Sequence, residues 1–110
     1  MAFVLKKLNK LPVRVKGTLP GEDGKPVDFD FTLHCKRLTQ DEFEAEHADK
    51  ETGVKDFLRR VTEGWEHVKD ENGAAVIFSL EGLNGLLNTA GMPLVCFTSY
   101  MKQISATAKN

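Results

Sequence analysis

Three histidines and two cysteines are the side chains in this 110-residue chain best suited to hold a metal or act as nucleophiles. Their spacing does not suit either task. His34 and Cys35 are neighbours on an alternating segment, so they face opposite sides and cannot grip one ion together. Structural zinc needs four ligands at regular spacing, and His34, His47 and His67 are scattered. The reading that follows is surface histidines and a core thiol. Cys35 and Cys96, 61 positions apart, read as free buried thiols in a reducing compartment, with a disulfide as the minor reading. Neither sits in a catalytic motif.

The carboxylates are more numerous. Asp41, Glu42, Glu44, Glu46, Asp49 and Glu51 form an acidic run. Paired carboxylates do acid–base chemistry when a shaped pocket perturbs their pKa values. Here they read as a solvated helix face, with docking to a basic partner as the intermediate reading. Asp70-Glu71-Asn72-Gly73 has turn composition. A calcium loop of the EF-hand kind spreads its ligands over about 12 residues and ends in Glu, whereas this run passes straight into Ala74-Ala75-Val76. Thr98, Ser99 and Tyr100 have no local His or Lys base, and no nucleophile elbow, phosphate-binding glycine loop or His-Glu-x-x-His is present. Sites also assemble from distant residues, so these absences only remove a positive reason to propose an enzyme; no catalytic residue, no cofactor and no metal are expected.

The composition fits a single globular domain, with 41% hydrophobic and 28% charged residues. Residues 1–104 are expected to form it, with 105–110 as a disordered tail. A net charge of −1 gives no electrostatic case for nucleic acid. No run reaches the roughly 20 apolar residues of a membrane span, and the N-terminus lacks the order of a signal peptide. A cytosolic protein is expected. Charge is uneven: residues 1–40 sum to +4, 41–72 to −6 and 73–110 to +1. The charge-poor last third must be buried in its own core or against another chain.

The elements that would position these groups follow from periodicity. Val13 and Val15 alternate with Arg14 and Lys16, and Val27, Phe29, Phe31, Leu33 and Cys35 recur at period two. Strands near 12–19 and 26–36 are predicted, joined through the turn-rich Pro20–Pro26 stretch into an antiparallel hairpin with one apolar face. Phe3-Val4-Leu5 reads as a further short strand. Thr39 and Glu42 form a capping box for a helix from Gln40 to about Lys50. After Gly53, the stripe Val54, Phe57, Leu58, Val61 and Trp65 predicts a second helix ending near Gly64, with Trp65 largely buried against Phe57, Val61 or a leucine helix. Glu66–Phe78 reads as a short hairpin around Asn72-Gly73 or a structured loop. Ser79 caps a third helix carrying Leu80, Leu83, Leu86 and Leu87, and Pro93 suits the first turn of a fourth. The fold class is α+β: a small antiparallel sheet at the N-terminus packed against three to four helices.

The fourth helix carries Leu94, Cys96, Phe97, Tyr100, Met101 and Ile104, an arc wider than a minimal core stripe. The default is a helix sandwiched between the hairpin and the leucine helix. The alternative presents Leu94, Phe97, Met101 and Ile104 to another chain, since Met and Phe suit adaptable binding surfaces.

Gly64-Trp65-Glu66-His67-Val68, the acidic glycine turn and Phe78-Ser79-Leu80-Glu81-Gly82-Leu83, in this order after a hairpin and an acidic helix, resemble the tail assembly chaperones of long-tailed bacteriophages. The likeness spans roughly residues 25–105, judged by pattern. It implies a non-enzymatic chaperone that binds apolar helical segments of the tape measure protein and helps tail tube subunits polymerise around it. The partners implied are the tape measure protein and the tail tube protein, with a homo-oligomer as a further candidate and neither nucleic acid nor membrane. The place implied is the host cytoplasm, not the mature virion. The resemblance carries no residue-level binding site. A virion component, such as a tail-completion or head–tail joining protein, and a small-molecule-binding domain are the alternatives.

Many relatives of that kind are also made as a longer product by programmed frameshifting. Ala108-Lys109-Asn110 can be encoded GCA-AAA-AAC, which contains a slippery heptamer on which paired tRNAs step back one nucleotide. Reading the gene tests this: a heptamer followed by an open −1 frame is expected, and a different run or a closed frame ends the idea.

Overall fold

The computed structural model describes residues 2, 3, 5, 8–48 and 53–105. Among them the chain forms strands β1 (Lys10–Pro20) and β2 (Pro26–Lys36), helices α1 (Gln40–Ala48) and α2 (Val54–Val61), strand β3 (Thr62–Glu66), and helices α3 (Leu80–Leu87) and α4 (Met92–Ile104). The sheet is antiparallel, in the order β1-β2-β3. The α+β architecture expected from the sequence is present.

The hairpin follows its alternation. Leu11, Val13 and Val15 on β1 and Phe31, Leu33 and Cys35 on β2 are buried, while the residues between them face outward. Burying each large aliphatic side chain contributes about 1.5–3 kcal/mol. Gly17 sits opposite Phe29, and a Cβ there would stand 2.9 Å from the Phe29 ring. The ring covers a position that only glycine leaves open. At the turn, the Asp23 carboxylate accepts the Lys25 N–H at 3.0 Å, and Gly24 takes φ +81°, a left-handed value that suits glycine.

The capping box forms as its residues dictate. The Thr39 hydroxyl accepts the Glu42 N–H at 3.2 Å, and the Glu42 carboxylate accepts the Thr39 N–H at 3.0 Å. Helix α1 runs to Ala48, and the expected extension to Lys50 lies outside the described residues.

The second helix departs from expectation. It ends at Val61, and residues 62–66 form a third strand rather than its last turn. A spacing of four from Val61 to Trp65 fits a helical stripe, yet a β2 edge with unpaired backbone groups takes the segment into the sheet. Tertiary pairing overrides the local pattern. Trp65 therefore lies opposite Leu33, on the face that the helices cover. It is half-buried rather than largely buried. Its ring meets Phe78 edge-on at 5.1 Å and lies on α3 at Gly82, while its Nε1–H donates to the Val76 carbonyl at 2.8 Å. The contact with the leucine helix is as expected.

At His67 the backbone takes φ +66° and the chain leaves the sheet. A structured loop follows, with one bridge between Lys69 and Ala75. The Asp70 carboxylate accepts the N–H groups of Asn72 and Ala74 at 2.9 and 3.0 Å, so it serves the turn itself. Ser79 caps α3, its hydroxyl accepting the Gly82 N–H at 2.9 Å. Gly91, at φ +88°, starts α4, with Pro93 in its first turn. The expected strand at Phe3-Val4-Leu5 is not seen at Phe3 or Leu5, which are exposed outside any strand, and Val4 lies outside the described residues. Ser105 closes α4, its hydroxyl donating to the Met101 carbonyl at 2.7 Å, and 106–110 lie outside the described residues.

One core joins the sheet to the helices. Met92, Cys96 and Tyr100 form the buried stripe of α4 and pack on the β1 side, while α2 supplies Phe57, Leu58 and Val61 and α3 supplies Leu83 and Leu87. The Tyr100 hydroxyl donates to the Lys36 carbonyl at 2.9 Å and pins α4 to the end of β2. No helix among the described residues is long and apolar enough to cross a membrane.

The two glycines of α3 differ in surroundings, and that sets a test. A Cβ at Gly85 meets nothing within 4 Å, whereas one at Gly82 would stand 3.0 Å from the Trp65 ring. Gly85→Ala should stabilise the protein by about 0.5–1 kcal/mol in urea unfolding. Gly82→Ala should gain nothing or lose stability, because the indole is held by its hydrogen bond.

Candidate functional site

The four side chains singled out on α4 share one arc of about 80° at 100° per residue. The structure divides them by exposure. Leu94, in the first turn, is 66% exposed. Phe97, Met101 and Ile104 are half-buried against the core. The inner part of the arc is covered, as in the sandwiched default, with Phe57 of α2 and His47 of α1 against Phe97, and of the four Leu94 stands open.

That cover is aromatic. Phe97 meets Phe57 edge-on at 5.6 Å, and Phe57 meets Tyr100 edge-on at 5.2 Å. Above them, Phe43 and His47 of α1 stack at 4.2 Å, one helical turn apart. His47 lies 6.2 Å from Phe57 and 6.1 Å from Phe97, and its Nδ1 is 2.9 Å from the Phe43 carbonyl. An ion pair from Glu46 to Arg60, at 2.9 Å, adds a polar tether. Ile104 sits beside Leu38 and Phe43 in a groove of about 320 Å³. Phe43 and Glu46 are the half-buried side chains of α1, and Asp41, Glu42 and Glu44 face solvent. Asp41, Glu42 and Glu44 thus form a solvated face, Glu46 turns inward to Arg60, and Asp49 and Glu51 lie outside the described residues.

Other large apolar side chains stand open near the helical layer. Ile77 is 89% exposed and Leu80, three residues on, is 62% exposed. Leu80 therefore turns out of the core stripe expected for α3, whose buried members are Leu83 and Leu87. A cleft of about 720 Å³ lies between β2, the segment His67–Lys69 and the α3–α4 junction. Sequence reading missed it, because it exists only where β3 stops short of the end of β2.

The polar residues are taken up in local pairs. His34 bonds Glu66 at 2.9 Å on the outer face of the sheet, away from buried Cys35. Among the described residues, no group of three His, Cys, Asp or Glu side chains is placed to hold a metal. Both thiols are free and buried. Burial pushes Cys35 up to about 11, with Thr62 at 3.8 Å opposing the shift, and pushes Cys96 up to about 12. On the outer face, Arg14 holds the Asp30 carboxyl below its ordinary range through hydrogen bonds of 2.9 and 2.6 Å.

No family model matches the chain, and neither a curated protein nor a solved structure does. What the geometry offers is packing chemistry: an aromatic seat already holding one helix, an open Leu94 on the same arc of α4, and thiols kept protonated. In the native protein at pH 8 both cysteines should react with a thiol reagent at least about a hundredfold more slowly than in urea. Rapid labelling without unfolding contradicts their burial.

Proposed function

We propose that this protein is a non-enzymatic tail assembly chaperone of a long-tailed phage, holding apolar helical segments of the tape measure protein while tail tube subunits assemble. Support comes first from the resemblance across Gly64–Val68 and Phe78–Leu83. The observation that carries the reading is the aromatic seat of α2 and α4, which receives α1 mainly through Phe43 and His47. A surface that seats one helix by two side chains a turn apart has the form of a helix-in-groove site. Leu94 lies on the same arc of α4 and extends it to solvent. On this reading the protein acts in the host cytoplasm and is absent from the mature virion.

Co-expression with a tape measure protein tests it. The partner should become more soluble and co-purify with the chain. Leu94→Asp, at an exposed position, should leave the circular dichroism unchanged and reduce that rescue several-fold. Phe97→Asp is less informative, because its ring packs on Phe57 and the change threatens the fold. Unchanged partner solubility with the wild-type chain sinks the proposal. Stoichiometric recovery from purified particles favours a virion component instead.

A further inference from the structure

β2 has 11 residues and β3 only five, so β3 covers one half of the β2 edge. The other half is open, and the register shows which groups it presents. The Gly21 N–H donates to the Lys25 carbonyl and the Arg37 N–H to the Asn9 carbonyl, at the two ends of the hairpin. Those bonds fix the parity of the antiparallel ladder. Odd-numbered residues of β2 bond to β1, and even-numbered residues direct N–H and C=O the other way. β3 takes up Thr32 and His34, opposite Glu66 and Gly64. The next even residues, Asp30 and Asp28, would meet positions 68 and 70 if the strand ran on. It does not, because the chain turns away at His67, with φ +66°. Among the described residues, nothing bonds the backbone groups of Asp28 and Asp30 on this side.

This open edge forms one wall of the 720 Å³ cleft. Phe29, Phe31, Leu86 and Met92 are its apolar lining, and Arg14, His67 and Lys69 line it beside the two acids. A strand laid along the edge would complete the ladder that β3 begins. Its side chains would alternate between the two faces. One opposite Phe29 enters the apolar side. Those opposite Asp28 and Asp30 lie on the outer face, about 4.5–5.5 Å from these acids at their Cβ atoms. Arg14 engages Asp30, while Asp28 has no ion-pair partner among the described residues. A second copy is a poor guest, because pairing the same edge of two copies sets these acids against each other, and like charges opposite one another destabilise a ladder.

We infer that the open half of β2 is a strand-addition site for an extended partner segment with alternating basic and apolar residues, taken up through the backbone of Asp28 and Asp30 and the cleft beside Phe29. This is β-augmentation, in which main-chain bonds supply affinity and alternate side chains supply specificity. It is independent of the chaperone reading, which uses the helical layer.

The probe is an acetylated, amidated Lys-Val-Lys-Val-Lys peptide titrated into the isotope-labelled protein and followed by amide NMR. The Asp28 and Asp30 amides should shift and exchange more slowly, and a Glu-Val-Glu-Val-Glu control should bind at least about tenfold more weakly. Asp28→Pro removes an N–H that β1 does not use and should weaken binding about tenfold. If that variant unfolds, Asp28→Lys makes the test through charge, with a similar loss expected. No change at these amides at millimolar peptide overturns the inference, as does equal binding of the acidic control. So does an Asp28→Lys chain that self-associates while the wild type ignores the peptide, since the acids would then merely guard the edge.

Discussion

The pairing of Thr32–His34 with residues 64–66 holds the two halves of this molecule together. It places Trp65 opposite Leu33, on the face where the helices lie. From there the indole bonds the Val76 carbonyl and rests on Gly82, which fixes the loop and the start of α3 against the sheet. The same pairing ends α2 at Val61 and turns its axis into the strand direction within one residue. It also ends early, at a left-handed His67, so half of the central strand keeps an open edge. One five-residue strand thus sets the position of α2, the seat of α3 and the cleft beside β2.

The helical layer is built from unequal parts. α4 carries a continuous buried stripe of Met92, Cys96 and Tyr100 and a hydrogen bond from Tyr100 to the end of β2. α2 is strongly two-sided, with Phe57, Leu58 and Val61 buried. α1 has no comparable stripe; it rests on aromatic rings through Phe43 and His47 and on the ion pair from Glu46 to Arg60. Burial of a whole apolar face contributes far more than two ring contacts and an ion pair at the surface. Of the four helices, α1 is the one a competing helix could most readily displace, and this gives the proposed chaperone role its physical content.

Two surfaces then have distinct chemistries. On the proposed function, the rings of the helical side and Leu94 receive an apolar helix without reading its sequence closely. On the strand-addition inference, the open edge of β2 offers directed backbone groups and a fixed alternation to an extended segment. Neither requires a titrating group, and the thiols raised by burial are unsuited to nucleophilic work at neutral pH.

Local rules determined much of this protein. The alternation at 13–16 and 27–35 wrote the hairpin and its inner face, because side chains on a strand have a period of two. Thr39 with Glu42, Ser79 and Pro93 marked helix starts, because caps and first-turn residues act within a few positions. The division of α4 into a buried stripe and a flank was half legible: the arc was visible, but which part another helix covers depends on where α1 lands. The strand at 62–66 was not legible, since Val61 and Trp65 suit either period and only the waiting edge of β2 decides between them. The open edge and its cleft were hidden for the same reason. Backbone groups left unpaired by a neighbour's shortness are a property of two strands together, so the tertiary structure alone decided them.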